Sequence, residues 1–450
     1  MSSQELPSTG EPAMRDVTGE PLRRAITGPL LLFFILGDVL GAGVYTLAGT
    51  IAGRVGGALW APLLLALVFA LLVAGSYAEL VTKYPRAGGA AVFAAKAFKR
   101  PVISFLVGFC MVAAGVTSAA GLAVAFAGDY LSAFINVPPI AAALVFLVAI
   151  ALLNARGIKE SLSANLVMTL IELSGLLIVI ACGIYLVTKG QGNFSQLTQF
   201  RPGVSPAMAV LGGALLAFYS FVGFETSANL AEEVRDVRRV YPIALFASLL
   251  IAGLVYVLVA LAASLIVPID QLANSSAPLL EVVRASGLGI PPRWFAVIAL
   301  VAVANGALLT MIMASRLTYG MAREGLLPDR LASVLPVRRT PGMAILWTTV
   351  VAMALTFTST LEVLAGTVVL LLLVVFLSTN IAVLVLRKDV VAEPHFRVPT
   401  IVPWLSIGCC LLLASQQSLE TVVRGGGLLL LGVLLFGLTR LGKGASPRHR

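Results

Sequence analysis

Polar residues are scarce in this chain, and they fall at intervals that divide it into twelve apolar runs. These are roughly 27–53, 58–80, 101–127, 138–156, 162–187, 205–231, 241–266, 293–321, 341–360, 361–386, 398–418 and 425–441. Most are near the twenty or so residues that a helix needs to cross a bilayer. The pattern predicts an all-α integral membrane protein of 12 transmembrane helices. The ninth and tenth runs are separated only by the polar turn Thr358-Ser359-Thr360-Leu361-Glu362, which a hairpin at the membrane surface satisfies.

Two runs are interrupted. The first contains Gly37-Asp38-Val39-Leu40-Gly41-Ala42-Gly43 and the sixth contains Tyr219-Ser220-Phe221-Val222-Gly223-Phe224-Glu225. Glycine costs about 1 kcal/mol against alanine inside a helix, and a charged aspartate at mid-depth costs about 2.5–3.5 kcal/mol. Backbone opened at that depth survives only where protein or a watery cavity surrounds it. Close packing of a neighbouring helix would also use the glycines. The two runs lie five spans apart and so cross in opposite directions, and each has a glycine-containing break near a carboxylate. Such pairing points to an inverted repeat with a binding site at the midplane.

Composition fits this picture. Of 450 residues, 59% are hydrophobic and 12% charged, half the charge of a soluble domain. The net charge of +10 does not imply nucleic acid, because the bases are spread over short loops. With the N-terminus inside, most of the 31 Lys and Arg fall on the cytoplasmic side, among them Arg23, Arg24, Lys83, Arg86, Arg235, Arg238, Arg338, Arg339 and Arg387. The opposite side keeps Arg54, Lys189, Arg201, Arg284, Arg293 and Arg424. That asymmetry predicts a multi-pass protein of the plasma or inner membrane with both termini cytoplasmic. Glu79, Lys83, Arg86, Glu232, Glu233, Arg235 and Arg238, at span ends, read as solvated interface charges. The four cysteines all fall within apolar runs and read as small core residues, and both histidines, His395 and His449, fall outside the runs.

The apolar runs hold no phosphate cradle for an ATP-driven pump, and neither the histidine cluster nor the nucleophile–base pair of an intramembrane enzyme. The expectation is a carrier, not an enzyme, without cofactor or bound metal. A channel would need a selectivity filter in place of two broken helices.

Six motifs, in order, give the chain a resemblance. They are GDVLGAGVYTLAG (37–49), SYAELVTKYPRAGG (76–89), NARGIKESLSAN (154–165), FYSFVGFETSANLAEEVRDVRRVYP (218–242), AREGLLP (322–328) and FRVP (396–399). Together they resemble the amino acid–polyamine–organocation permeases, most closely the cationic-amino-acid-transporter-like branch. The resemblance implies a 5+5 inverted repeat of the leucine-transporter type. It places a cytoplasmic tail at 1–24, a ten-helix core at 25–390 with repeats of about 25–190 and 200–390, and two extra helices at 391–450. It further implies secondary active transport of an amino acid, coupled to H⁺ or Na⁺ within the lipid bilayer. A polyamine or other organocation carrier or exchanger is the alternative. The substrate's side chain and the oligomeric state stay open.

The expected substrate site is backbone from both breaks: Gly41, Ala42 and Gly43 with Tyr219, Ser220, Val222 and Gly223. A half-helix starting near Val44 would offer free N–H groups and its positive dipole end to a carboxylate. Gly41 and Gly43 would let substrate meet bare main chain, and carbonyls around Tyr219, Ser220 and Val222 would accept the ammonium group. By resemblance, Tyr219 holds the position of an aromatic that covers the substrate. Coupling or gating candidates are Asp38, Glu172, Glu225 and Ser315. Glu225 stands where the family often has an acid, but it could also cap the inner half-helix. Asp38 replaces a residue that is small or neutral in relatives. Glu172 stands where several proton-coupled relatives carry a lysine, and Ser315 aligns only approximately with sodium-type contacts.

Overall fold

The computed structural model describes residues 26–444 apart from 87, 157, 158, 337 and 339. The predicted N-terminal tail with Arg23 and Arg24, residues 157 and 158 of the fourth-to-fifth-span loop, Arg339 and His449 lie outside the described residues.

The described residues are predominantly helical. The first run forms α1 (Gly28–Leu40) and α2 (Ala42–Val55), parted at Gly41 alone. Next come α3 (Trp60–Lys83), α4 (Gly89–Phe98), α5 (Pro101–Phe126), the one-turn α6 (Asp129–Ser132), α7 (Pro139–Arg156) and α8 (Lys159–Thr188). The sixth run forms α9 (Pro206–Tyr219), a turn, and a 3-10 helix (Phe224–Glu233). Then follow α10 (Val237–Ile266), α11 (Ile269–Asn274), α12 (Pro278–Ala285), α13 (Pro292–Arg323), α14 (Gly342–Thr356), α15 (Leu361–Leu386), α16 (Ile401–Ala414) and α17 (Leu419–Gly444).

Ten segments among the described residues are long and apolar enough to cross a membrane. This is a multi-pass membrane protein. Two expected spans are shorter than their apolar runs: α14 has 15 residues and α16 has 14. At about 1.5 Å per residue each spans roughly 21–23 Å, short of a ~30 Å hydrocarbon core. Pro341 fixes the start of α14, and Thr360 caps α15 by accepting from the Val363 N–H at 3.5 Å. Helices α4, α11 and α12 have no counterpart among the apolar runs, because they are short and interrupted by polar residues.

Spans one and six lie antiparallel, as loop bonds at both ends show. On the N-terminal face, the Ile26 N–H donates to the Glu233 carbonyl and the Arg235 N–H to the Ile26 carbonyl, each at 2.9 Å. On the far face, the Arg201 N–H donates to the Val55 carbonyl at 2.9 Å. The far face is further sealed by an ion pair between Arg54 and Glu362 and by the Arg201 guanidinium on the Gly53 carbonyl at 2.8 Å. Closing these spans back to back puts both breaks at the same depth, in the largest buried apolar cluster.

One group of span-end charges is not solvated. Glu79 is 2% exposed and takes a forked pair from Arg387, at 2.8 and 2.7 Å, plus the Val398 N–H at 3.0 Å. The Lys83 ammonium donates to the carbonyls of Leu386 and Asp389, both at 2.6 Å. The chain after α15 folds back over α3, and that return is what removes these charges from water. Glu79 in turn raises the Arg387 guanidinium above its usual pKa range.

Candidate functional site

The break in span one is narrower than its glycines suggest. Gly37 and Asp38 remain helical, the chain parts at Gly41, and the second half-helix begins at Ala42, not near Val44. No side chain caps that new start, so its first N–H groups keep their hydrogen-bonding capacity and the positive end of the dipole faces the gap.

The break in span six is a tight turn followed by an unusual helix. The N–H groups of Ser220, Phe221 and Val222 donate to the carbonyls of Ala217, Phe218 and Tyr219. Gly223 then takes φ +130°, open to glycine and strained for any side chain. Ten residues of 3-10 helix follow, far beyond the usual three or four, a length associated with hinges.

Side chains stitch the two breaks together. The Tyr256 hydroxyl from α10 bridges the carbonyls of Val39 and Ser220, the latter at 3.1 Å. The Thr226 hydroxyl donates to Asp38, and the Gly223 N–H donates to Glu225 Oε2 at 2.9 Å. The Tyr219 hydroxyl meets Ser118 of α5 at 2.9 Å. The Val222 carbonyl receives no donor among the described residues.

A buried cavity of about 50 Å³ lies between the breaks. Of the expected residues, Asp38, Gly41, Gly43, Tyr219, Ser220, Val222, Gly223 and Glu225 all line it. Ala42 opens α2, and its side chain lies outside the described residues. Two candidates stand elsewhere. Ser315 is fully buried against Asn154 of α7 at 3.1 Å. Glu172 of α8 is also fully buried, with neither carboxyl oxygen hydrogen-bonded. Asn305 is its side-chain neighbour, short of hydrogen-bond geometry, and the Tyr45 hydroxyl donates to its main-chain carbonyl at 2.5 Å.

The carbonyl set differs from the expectation. Tyr219 and Ser220 carbonyls are already taken, by Val222 N–H and Tyr256, which leaves Val222 as the free acceptor of the three. Gly43 differs too. A Cβ there would come within 2.6 Å of the Ser220 Cα, so its missing side chain makes room for span six. A Cβ on Gly41 would meet nothing nearer than 3.4 Å. Accordingly Gly43→Val is expected to abolish uptake in proteoliposomes, whereas Gly41→Ala inserts and melts as wild type does. Equal uptake by Gly43→Val and wild type would overturn this reading.

The far wall of the cavity is built by helices outside the two breaks. Gly306, Thr310 and Met313 of α13, Leu122 of α5, and Val368 and Leu372 of α15 complete the lining, with Ser118 and Thr226. Thr226 lay within the sixth-span motif, but the others carry no local signal, being ordinary small or apolar residues in apolar runs. Tyr256 is likewise one tyrosine in a hydrophobic stretch.

Two opposed broken spans thus meet around one small, largely apolar cavity in a multi-pass helical protein. Residues 29–427 match the family model described as amino acid permease, and the chain belongs to that family, within the amino acid–polyamine–organocation superfamily. It is similar to the vacuolar cationic amino acid transporter 4 of Arabidopsis thaliana, 31% identical over 78% of this chain and 61% of that protein. It is also similar to the branched-chain amino acid permease BcaP of Bacillus subtilis, 26% identical over 89% of this chain and 90% of that one. A methylthioribose transporter of the same bacterium is 27% identical over 84% of each chain. The chain thus spans about three fifths of the plant relative and most of each bacterial one.

Proposed function

We propose that the chain is a secondary active transporter of a neutral, apolar amino acid, working by alternating access and coupled to H⁺ or Na⁺. The observation that carries this reading is the pairing of an uncapped helix start at Ala42 with the free Val222 carbonyl across one small cavity. The N–H groups suit the substrate's carboxylate and the carbonyl suits its ammonium group. The remaining wall, with Leu122, Val368 and Leu372, suits an apolar side chain. Asp38 and Glu225 already accept hydrogen bonds from Thr226 and Gly223, so both acids serve the conformation of span six. We place both termini in the cytoplasm, and read residues 25–190 and 200–390 as the two inverted repeats. Because the relatives range from cationic and branched-chain amino acid carriers to a methylthioribose carrier, family membership alone leaves the substrate open.

A second reading, a polyamine or other organocation carrier, draws on the same two carboxylates at the cavity wall. A competition panel in proteoliposomes, with and without Na⁺ and a pH gradient, separates the readings. Apolar amino acids are expected to compete best, and competition by polyamines or lysine alone would select the second. In the same assay Asp38→Asn is expected to slow transport of every substrate together, since the amide keeps an acceptor for Thr226 but disturbs a buried hydrogen bond worth on the order of 1 kcal/mol. Selective loss of cationic substrates would instead make Asp38 a side-chain recognition residue.

A further inference from the structure

A second and larger cavity, about 620 Å³, opens on the N-terminal face beside the start of α1. Asp38, Thr226 and Met313 line both this vestibule and the small central cavity. The Asp38–Thr226 hydrogen bond therefore stands on the boundary between them. Glu324, an exposed residue, lies at the vestibule's rim.

Among the described residues, Arg316 of α13 is the one basic side chain in the lining of this space, and Glu233 at the end of the 3-10 helix lines it as well, with Asp38 at the inner boundary and Glu324 at the rim. Arg316 and Glu233 are electrostatic neighbours, yet they stand beyond the 4 Å of an ion pair. Neither side chain makes a hydrogen bond or ion pair with any described residue. Around them the wall is largely apolar, with Phe34, Leu309, Ile312 and Leu317. Charges against apolar walls interact more strongly with a partner than charges in bulk water do, and a guanidinium forks a carboxylate with two parallel donors. A separated Arg and Glu are matched by one small molecule that carries an anionic and a cationic group on the same carbon, which is the head group of an α-amino acid.

We propose that Arg316 and Glu233 form a second, weaker subsite for a zwitterionic amino acid, with Arg316 on its carboxylate and Glu233 on its ammonium group. This rests on the amino-acid reading of the central site. Substrate leaving the breaks passes the Asp38–Thr226 boundary and meets a site of the same charge pattern in the vestibule. The subsite then sets the half-saturating concentration on that face of the membrane only.

The test uses the full-length protein in vesicles of uniform orientation, with L-leucine as the probe offered from each face in turn. Arg316→Gln and Glu233→Gln are each expected to raise half-saturation on the vestibule face about tenfold, or ~1.4 kcal/mol, and leave the far face unchanged. Arg316→Lys, which keeps the charge and loses the fork, is expected to fall between. Equal shifts on both faces, or slower turnover with neither half-saturation moved, would overturn the subsite and leave a closing ion pair instead. If Arg316→Gln fails to insert, Glu233→Gln alone decides. Wild-type protein that carries no amino acid from either face would sink the amino-acid reading itself, a result distinct from any change confined to the variants.

Discussion

Gly223→Ala is expected to eliminate transport and to destabilise the protein by several kcal/mol, on the order of the sum of a strained backbone and an overpacked contact. Its backbone sits at φ +130°, where a non-glycine residue costs on the order of 1–3 kcal/mol. Its Cβ would also come within 2.8 Å of the Asp38 carbonyl and 3.0 Å of the Asp38 carboxyl carbon. Overpacking of that kind adds about 1–3 kcal/mol. Relief requires spans one and six to separate, and that breaks the Thr226–Asp38 bond and the Tyr256 bridge together. Thermal unfolding in detergent and uptake in proteoliposomes check the two halves of the expectation. A variant that melts with wild type and still accumulates substrate would show that the breaks are not held by this contact.

Glu172→Gln is expected to abolish accumulation against a gradient while exchange of substrate across the membrane persists. The acid is completely buried in α8, its carboxyl oxygens lack partners, and no cationic side chain pairs with it among the described residues. A carboxyl in so dry a place needs a companion cation, and H⁺ and Na⁺ are the two that a coupled carrier uses. It lies outside the central cavity, behind Tyr45, whose helix α2 starts at the first break. The main-chain bond from Tyr45 ties the acid's helix to the half-helix whose uncapped start faces the break. Glutamine keeps the shape and removes the titration and the charge, so exchange serves as the control for folding. Driven uptake equal to wild type, with unchanged dependence on Na⁺ and pH, would remove Glu172 from coupling.

Much of the architecture was written in the pattern of apolar runs, because a bilayer forces each span to satisfy its own backbone. The loop charges, the turn at Thr358–Thr360 and the break at Tyr219–Glu225 were legible for the same reason: each departs from what lipid tolerates. The lengths of α14 and α16 were not legible, because an apolar residue in a loop or a helix end looks the same as one within a span. Nor were Ser118, Tyr256 and Gly306, which matter only through what they touch across the bundle.

The glycines show the division most clearly. The sequence by itself determined that spans one and six are interrupted, that they oppose one another, and that carboxylates accompany both breaks. Only the tertiary structure decided what each glycine is for: Gly43 yields its space to Ser220, Gly223 to Asp38, and Gly41 alone marks the parted helix. It likewise decided that Asp38 and Glu225 meet at one cavity while Glu172 and Ser315 stand apart from it. The reason is physical. Helix interruption is a local energetic matter between a segment and its solvent, whereas the use of a missing side chain depends on which distant backbone arrives to fill the gap.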